Sequence, residues 1–218
     1  MSIKIFSDSK SRNSLGNKFR QKRFRFFREQ INSIDKPIIK ILDVGGTESY
    51  WENNGFVNLD SIHITLLNLE KKTTSYKNID SIAGDATNLK QYNNNQFDIC
   101  FSNSVIEHLY DFENQKKMAK ETQRVGKYYF IQTPNKHFII EPHFLLPFFQ
   151  FLPKNLQYYI LTKTKLSRGK KWNKKFAKNY INEIRLLSLN EMKELYPHSK
   201  FDFEKFIGLT KSFTAHNF

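Results

Sequence analysis

The sequence has little of what marks secreted or membrane-spanning proteins. Its 218 residues include a single cysteine, Cys100, so a disulfide framework is excluded and a reducing compartment is indicated. No apolar run approaches the roughly 18 residues that a membrane-spanning helix needs. The N-terminal stretch "MSIKIFSDSKSRNSLGNKFRQKRFRFF" has no apolar core of signal-peptide length. We therefore predict a cytoplasmic protein in which Cys100 is a buried, unreactive thiol.

Two segments contain no acidic residue at all. Residues 10–28 hold eight basic residues and residues 154–178 hold nine. The rest of the chain carries 18 basic against 21 acidic side chains, so the net charge of +14 belongs to these two segments. Such basic segments bind either nucleic-acid phosphates or anionic lipid headgroups, and in other proteins they are merely solvated loops.

The length and composition favour one folded domain with additions. A hydrophobic fraction of 39% with 21 Phe and 10 Tyr is too apolar for a disordered chain. We predict a basic N-terminal helical extension over residues 1–36 and the main domain over residues 37–218. Within that domain residues 136–180, rich in proline, aromatic residues and lysine, form a basic-aromatic insertion that we call the lid segment.

Apolar strands alternate with helices between Ile38 and about Asn135. The predicted strands are "IIKILDVG", "SIHITLLNL", "SIAGDA", "QFDICFSN" and "KYYFIQT", with a helix from Asp111 to Val125. Further strands are predicted at "EIRLLS", "KFDFEKFIG" and "LTKSFTAH", and Ser188 and Glu191 match a capping box that begins a helix. This alternation indicates an α/β fold, with a parallel sheet wound by helices.

The first strand leads into a glycine turn, "ILDVGGTES", and then a short helix. Such a turn lets a ligand approach bare backbone N–H groups. A dinucleotide fingerprint would need glycines at positions 45, 47 and 50, and only Gly45 is present. No G-K-[ST] follows, so a Walker phosphate loop is also excluded.

Four motifs in order, "ILDVGGTES", "ITLLNLE", "AGDATNL" and "FDICFSNSVIEHL", resemble the class I S-adenosylmethionine-dependent methyltransferases, in particular the type 11 family. The resemblance covers roughly Ile38 to Asn135. It implies a Rossmann-like doubly wound sheet of seven strands in the order 3-2-1-4-5-7-6, with the last strand antiparallel and helices on both faces. It also implies that the cofactor is S-adenosyl-L-methionine.

The resemblance assigns the methionine end of the cofactor to the glycine turn. Asp43 would orient that end, directly or through water, while Gly45 and Gly46 let the backbone approach it. The sequence departs from the family at Thr47 and Ser49, where glycines are usual. A repacked methionine pocket, or a protein that has lost cofactor binding, would follow if these residues strained the turn.

The remaining cofactor contacts are implied by the other three motifs. Asn68 or Glu70 would accept hydrogen bonds from the ribose hydroxyls, and a carboxylate is the better double acceptor. Asp85 and the backbone N–H of Ala86 would bind adenine. Asn103 would lie beside the methyl group.

Candidate catalytic residues lie near the fourth motif and in the lid segment. Methyl transfer to a hydroxyl requires alignment and loss of one proton, for which histidine is suited. We predict His143 or His108 as the base, with Glu141 as its orienting partner or as an alternative. No C-x-x-C or H-x-x-x-H spacing supports a metal site, so none is predicted.

The leading hypothesis for function is O-methylation of a small polar, glycan or lipid-linked acceptor. Apolar residues of the lid segment precede its lysines, which also suggests peripheral contact with an anionic membrane. These residues are Phe144, Leu145, Leu146, Phe148, Phe149, Phe151 and Leu152. An RNA-directed methyltransferase is an alternative, but "FSNSVIEH" stands where base-modifying enzymes carry [ND]-P-P-[YF], so nucleic acid is the less favoured partner. A non-catalytic, membrane-associated protein on the same fold is the third hypothesis.

Overall fold

A seven-stranded sheet forms the centre of the fold in the computed structural model, which describes residues 15–218. The strands along the chain are β1 (Ile39–Val44), β2 (Ile62–Asn68), β3 (Ile79–Ala83), β4 (Phe97–Asn103), β5 (Gly126–Pro134), β6 (Ile140–Glu141), β7 (Leu146–Pro147), β8 (Lys200–Phe206) and β9 (Leu209–His216). The sheet order is β3-β2-β1-β4-β5-β9-β8, while β6 and β7 pair only with each other. Numbered within the large sheet, this order is 3-2-1-4-5-7-6, which confirms the predicted topology. Strand β9 runs antiparallel to both neighbours.

Two apolar cores cover the two faces of the sheet. Leu42 and Cys100 point into one core, while Ile41 and Phe101 point into the other. This division follows from the alternation of side chains along a strand. It explains why the central parallel strands are apolar almost throughout. Cys100 is buried, as predicted, and its burial raises the pKa of the thiol.

Within residues 15–218 there are six α-helices: α1 (Leu15–Asn32), α2 (Glu48–Asn53), α3 (Phe112–Val125), α4 (Lys154–Lys163), α5 (Lys174–Glu183) and α6 (Leu189–Leu195). Asp111 caps α3 by accepting a 2.8 Å hydrogen bond from the backbone N–H of Asn114. Ser188 and Glu191 form the predicted capping box at the start of α6. Short 3-10 turns cover Ile106–His108 and Phe149–Phe151.

Helix α1 packs its aromatic side against the sheet. Phe24 and Phe27 are buried, and the Phe27 ring lies 4.7 Å from that of Phe101. The basic side chains of this helix are only partly available to a partner, because Arg28 packs over the rings of Phe24 and Phe56 and Arg23 is buried. Residues 1–14 of the predicted 1–36 extension lie outside the described residues.

The prediction of a strand at "EIRLLS" is wrong. Helix α5 continues to Glu183, and Leu187 makes only an isolated bridge to Asn135. The pattern is strand-like because Leu186 and Leu187 are buried. The edge of β5 that such a strand would need is already paired with β9.

The lid segment has its own small core, built from Phe144, Phe149, Leu161, Trp172, Ala177 and Ile181. Of the apolar side chains considered for membrane contact, Phe144 and Phe149 are therefore buried, whereas Phe148 and Phe151 are exposed. Among the described residues, no helix has both the length and the apolarity needed to cross a bilayer.

Candidate functional site

The carboxyl ends of β1 to β4 bring the sequence-predicted cofactor residues to one edge of the sheet. Asn68 and Asn103 are the last residues of β2 and β4, and Asp85 follows β3 by two residues. The Asn68 side-chain amide donates a 3.0 Å hydrogen bond to the carbonyl oxygen of Gly46. Asn68 thus supports the glycine turn, while Glu70 is an exposed carboxylate just beyond the strand.

The turn after β1 requires glycine at two consecutive positions. Gly45 has φ +75°, and a Cβ there would lie 2.4 Å from Cγ2 of Val105. A Cβ on Gly46 would lie 1.7 Å from Oδ2 of Asp43, which is far inside van der Waals contact. The backbone N–H of Gly45 donates to Leu67 at 2.8 Å, which fixes the turn against β2.

Thr47 and Ser49 occupy conformations that need no glycine. Thr47 has φ −130° and ψ 145°, an extended geometry that any residue adopts, and it stands at the N-cap of α2. Ser49 lies inside that helix. The two departures from the family pattern therefore put no strain on the turn.

Asp43 is buried beneath the turn and is bound by a residue that the sequence analysis missed. The indole N–H of Trp51 donates to its Oδ2 at 2.7 Å. Burial raises the pKa of the Asp43 carboxyl to about 7, although the Trp51 hydrogen bond opposes this shift. The available signal was the tryptophan itself, since a buried indole N–H usually finds an acceptor.

Replacing Asp43 by asparagine is expected to remove a pH dependence of stability. Between the unfolded pKa of about 4 and the folded value of about 7, the native state binds more protons, so the free energy of unfolding falls as pH rises. The variant lacks this loss, and we expect it to gain about 2–3 kcal/mol relative to wild type between pH 5 and pH 8. Urea unfolding of the two cofactor-free proteins across this pH range measures the difference in free energy of unfolding. If that difference stayed constant with pH, the raised pKa of Asp43 would be contradicted.

Asp85 is held in a fixed position at the end of β3. Its Oδ1 accepts hydrogen bonds from the backbone N–H and the hydroxyl of Thr87, both at 2.8 Å. The side chain is nevertheless exposed, and Ala86 beside it is half-buried. A carboxylate so placed can accept a hydrogen bond from a ligand that lies across the strand ends.

Arg23, which the sequence analysis also missed as a site residue, joins α1 to three strands. Its Nε and Nη2 each donate to the carboxylate of Glu204 at 2.8 Å, and its Nη1 donates to Gln132 at 3.0 Å and to Asn103. Burial opposes ionisation of Glu204, but the charge and hydrogen bonds of Arg23 hold the pKa of that carboxyl below its usual value. No local pattern could reveal this, because the arginine and the glutamate are 181 positions apart.

A cavity of about 360 Å³ lies beside Arg23 and Asn103. Its lining residues are Gly16, Arg20, Arg23, Asn103, Ser104, Gln132, Pro134, Phe138, Ile140, Pro142, Leu145, Lys211 and Ser212. Three of them are basic and none is acidic. Burial lowers the pKa of Lys211, an effect that the charge of Glu204 opposes.

The predicted catalytic residues form a separate cluster outside the lining of that cavity. His143 Nδ1 lies 2.7 Å from Glu141 Oε1, and His108 Nδ1 lies 2.7 Å from Glu183 Oε1. Burial opposes protonation of His143, but Glu141 and Glu107 raise its pKa above the usual value. None of these residues lines the cavity over Asn103, so the role of base stays a prediction.

Comparison with known proteins supports the resemblance found in the sequence. Residues 44–128 match the type 11 family model, described as a methyltransferase domain. No curated protein sequence matches the chain.

Solved structures with the same fold include several methyltransferases. An S-adenosylmethionine-dependent methyltransferase from Methanosarcina mazei is 12% identical with a TM-score of 0.51, over 86% of this chain and 95% of that one. Another from Archaeoglobus fulgidus is 13% identical with a TM-score of 0.53, over 91% and 94%. The CurJ carbon methyltransferase is 10% identical with a TM-score of 0.59, and the match covers 98% of this chain but 56% of that one. At such identities the structures show the fold alone.

The strand order, the motifs at the carboxyl ends of β1 to β4 and the family match over residues 44–128 agree. Residues 44–128 thus match the type 11 methyltransferase family, and the chain has the fold of the class I S-adenosylmethionine-dependent methyltransferases.

Proposed function

We propose that this methyltransferase transfers the methyl group to an oxygen of a small polar acceptor that carries an anionic group, of the glycan or lipid-linked type. The observation that carries the proposal is the basic cavity beside the strand ends. The cofactor edge and the cavity share Asn103, so a molecule in the cavity would lie next to the expected position of the methyl group.

The residues along the strand ends fit S-adenosylmethionine. The positions where a Cβ would clash, Gly45 and Gly46, let the cofactor's methionine end approach the backbone above Asp43. We assign the ribose to Asn68 or Glu70, with Glu70 preferred because its carboxylate is exposed, and the adenine to Asp85 and Ala86.

The charge of the cavity selects the acceptor. Arg20 and Arg23 from α1 and Lys211 from β9 all line it, while the carboxylate that pairs with Arg23, Glu204, lies outside the lining. Phe138, Ile140 and Leu145 supply apolar parts of the lining. A carboxylate or phosphate attached to a sugar or lipid carrier suits this combination of basic and apolar side chains, since both groups are attracted by a basic lining.

The chemistry differs with the atom that is methylated. An ionised oxygen would attack the methyl carbon of S-adenosylmethionine, forming a methyl ester as the carbon–sulfur bond breaks and S-adenosylhomocysteine leaves, and it needs no base from the chain. A hydroxyl must also lose a proton, for which His143, His108 and Glu141 remain the predicted candidates. Since the cavity lining contains neither histidine nor carboxylate, the ionised oxygen is the atom we favour.

Activity is tested by S-adenosylhomocysteine release against matched acceptors. Uronic acids, sugar phosphates and lipid-linked phosphates are compared with their neutral counterparts and with RNA. We expect turnover of anionic acceptors only.

Lys211→Met should raise the KM for anionic acceptors by about tenfold, equivalent to about 1.4 kcal/mol, because a buried charge pair with the acceptor is lost.

The matched control is Lys205→Met, since Lys205 lies on the neighbouring strand β8 and is exposed outside the cavity. A thermal shift with S-adenosylmethionine, equal in both variants, establishes that cofactor binding is intact. Turnover of neutral acceptors or of RNA alone, or equal KM values in the two variants, would contradict the proposed acceptor class.

A further inference from the structure

Three side chains that could bind a metal ion converge outside the lining of the acceptor cavity. Glu107 and His108 belong to the 3-10 turn after β4, and His143 belongs to the lid segment. Each offers a ligand atom, and these atoms lie within 4.8 Å of one another. Because the residues come from separate parts of the chain, their spacing in the sequence gave no metal motif.

The two imidazoles are already oriented as metal ligands are. Nδ1 of His143 is 2.7 Å from Glu141, and Nδ1 of His108 is 2.7 Å from Glu183. A carboxylate on one ring nitrogen fixes the tautomer and leaves Nε2 unprotonated, which is the usual arrangement around zinc. The two rings stand nearly perpendicular, with centroids 5.0 Å apart.

Glu107 supplies an independent sign that something is bound here. The residue is fully buried; Thr133 donates to its Oε2 at 3.0 Å, but its Oε1 has no hydrogen-bond partner. That oxygen lies 4.0 Å from Nε2 of His143. This distance is too long for a hydrogen bond, and it exceeds by about 0.6 Å the roughly 3.4 Å that separates two ligands of a tetrahedral zinc ion, so the two side chains would close slightly on the ion.

Charge balance and access also favour a cation. Two buried acidic side chains, Glu107 and Glu141, face the imidazole ring of His143, so the site offers acidic oxygens to a cation. His143 lines a cavity of about 470 Å³ together with Arg168, Lys170 and Lys171, so a further ligand arriving there would be water or a small anion.

We propose that Glu107, His108 and His143 bind one divalent metal ion of the zinc class, with Glu141 and Glu183 holding the two imidazoles. Two histidines and one carboxylate with an open fourth position are a zinc ligand set. The ion would join the lid segment to the end of β4. The proposed metal site does not depend on the proposed acceptor, since the metal ligands lie outside the lining of the acceptor cavity.

The test is metal binding by the intact, tag-free protein after removal of metal by a chelator. Titration with ZnCl2 is followed by calorimetry, and Co²⁺ is added separately because its visible absorption reports tetrahedral nitrogen and oxygen coordination. We expect one equivalent of each ion, with a zinc Kd of about 10⁻⁷ M or tighter. Zinc should also raise the Tm of the protein.

Variants identify the ligands. Glu107→Gln and His143→Gln keep side-chain size and should weaken zinc binding at least 100-fold, while Glu183→Gln should weaken it about 10- to 100-fold by freeing the His108 ring. His137→Gln is the matched control, because His137 lies in the same lid segment but is exposed. Circular dichroism checks that each variant is folded.

Absence of saturable zinc or cobalt uptake by the wild-type protein would overturn the proposal. Binding that survives both Glu107→Gln and His143→Gln would also overturn it. Neither result affects the acceptor assay, since S-adenosylhomocysteine release from anionic acceptors is measured separately.

Discussion

Replacing Arg23 by methionine should lower the free energy of unfolding by about 3–5 kcal/mol. The guanidinium holds the buried Glu204 with two hydrogen bonds of 2.8 Å and reaches Gln132 and Asn103 as well. Methionine fills much of the same volume but donates nothing, so the Glu204 carboxylate would remain in the interior without its partner. Urea unfolding measures the difference.

The pH dependence gives this prediction a second readout. The folded pKa of Glu204 is below its unfolded value, so the contribution of Glu204 to stability is present above the unfolded value and is lost as pH falls through the folded one. The difference between wild type and Arg23→Met should therefore shrink as the solution is acidified below about pH 4.

Two further variants separate the ion pair from the helix. Arg25→Met changes an exposed arginine of the same helix and should cost less than about 0.5 kcal/mol. The double variant Arg23→Met with Glu204→Gln removes the stranded charge and should recover more than half of the loss. If Arg23→Met were no more damaging than Arg25→Met, the assigned role of Arg23 would be wrong.

Gly46→Ala should abolish measurable cofactor binding and destabilise the fold by about 3 kcal/mol. The added Cβ would stand 1.7 Å from Oδ2 of Asp43, whose position is fixed by the hydrogen bond from Trp51. Either the carboxylate or the turn must move. Both changes displace the backbone that we assign to the methionine end, so affinity for S-adenosylmethionine should fall at least 100-fold, or about 2.7 kcal/mol.

The clash itself is tested by removing its other partner. The double variant Gly46→Ala with Asp43→Ala lacks the oxygen that the Cβ would meet. It should therefore recover part of the lost free energy of unfolding but not the affinity for S-adenosylmethionine. Gly169→Ala measures backbone strain without a clash, because Gly169 has φ +71° and no atom lies within 4 Å of a Cβ at that position; it should leave cofactor affinity unchanged. Normal cofactor affinity in Gly46→Ala would show that the cofactor does not use this turn.

The central fold could be predicted from the sequence because its signals are local. Each of β1 to β5 is an apolar run ended by polar or glycine residues. Ser188 and Glu191, only three positions apart, form the capping box that predicts the start of α6. The error at "EIRLLS" arose where two leucines are buried by packing alone. Whether an apolar run becomes a strand depends on a free sheet edge, and β9, more than twenty residues later, occupies that edge.

The parts of the site that were missed depend on contacts between distant residues. Asp43 was recognisable from its motif, but its partner Trp51 was not. Arg23 belongs to a run of basic residues that indicated a nucleic-acid or lipid partner, whereas the fold uses it to pair with Glu204. Likewise, nothing near Glu107 in the sequence shows that His143 lies beside it.

The pairing of Arg23 with Glu204 sets an order of events during protein synthesis. The ribosome releases α1 early, but the glutamate is made 181 residues later, a delay of roughly 10–35 s at about 5–20 residues per second. During that interval the arginine has no carboxylate to bind, and the basic cavity lacks the wall that β9 provides. A nascent chain therefore cannot complete this cavity until β8 and β9 have left the ribosome.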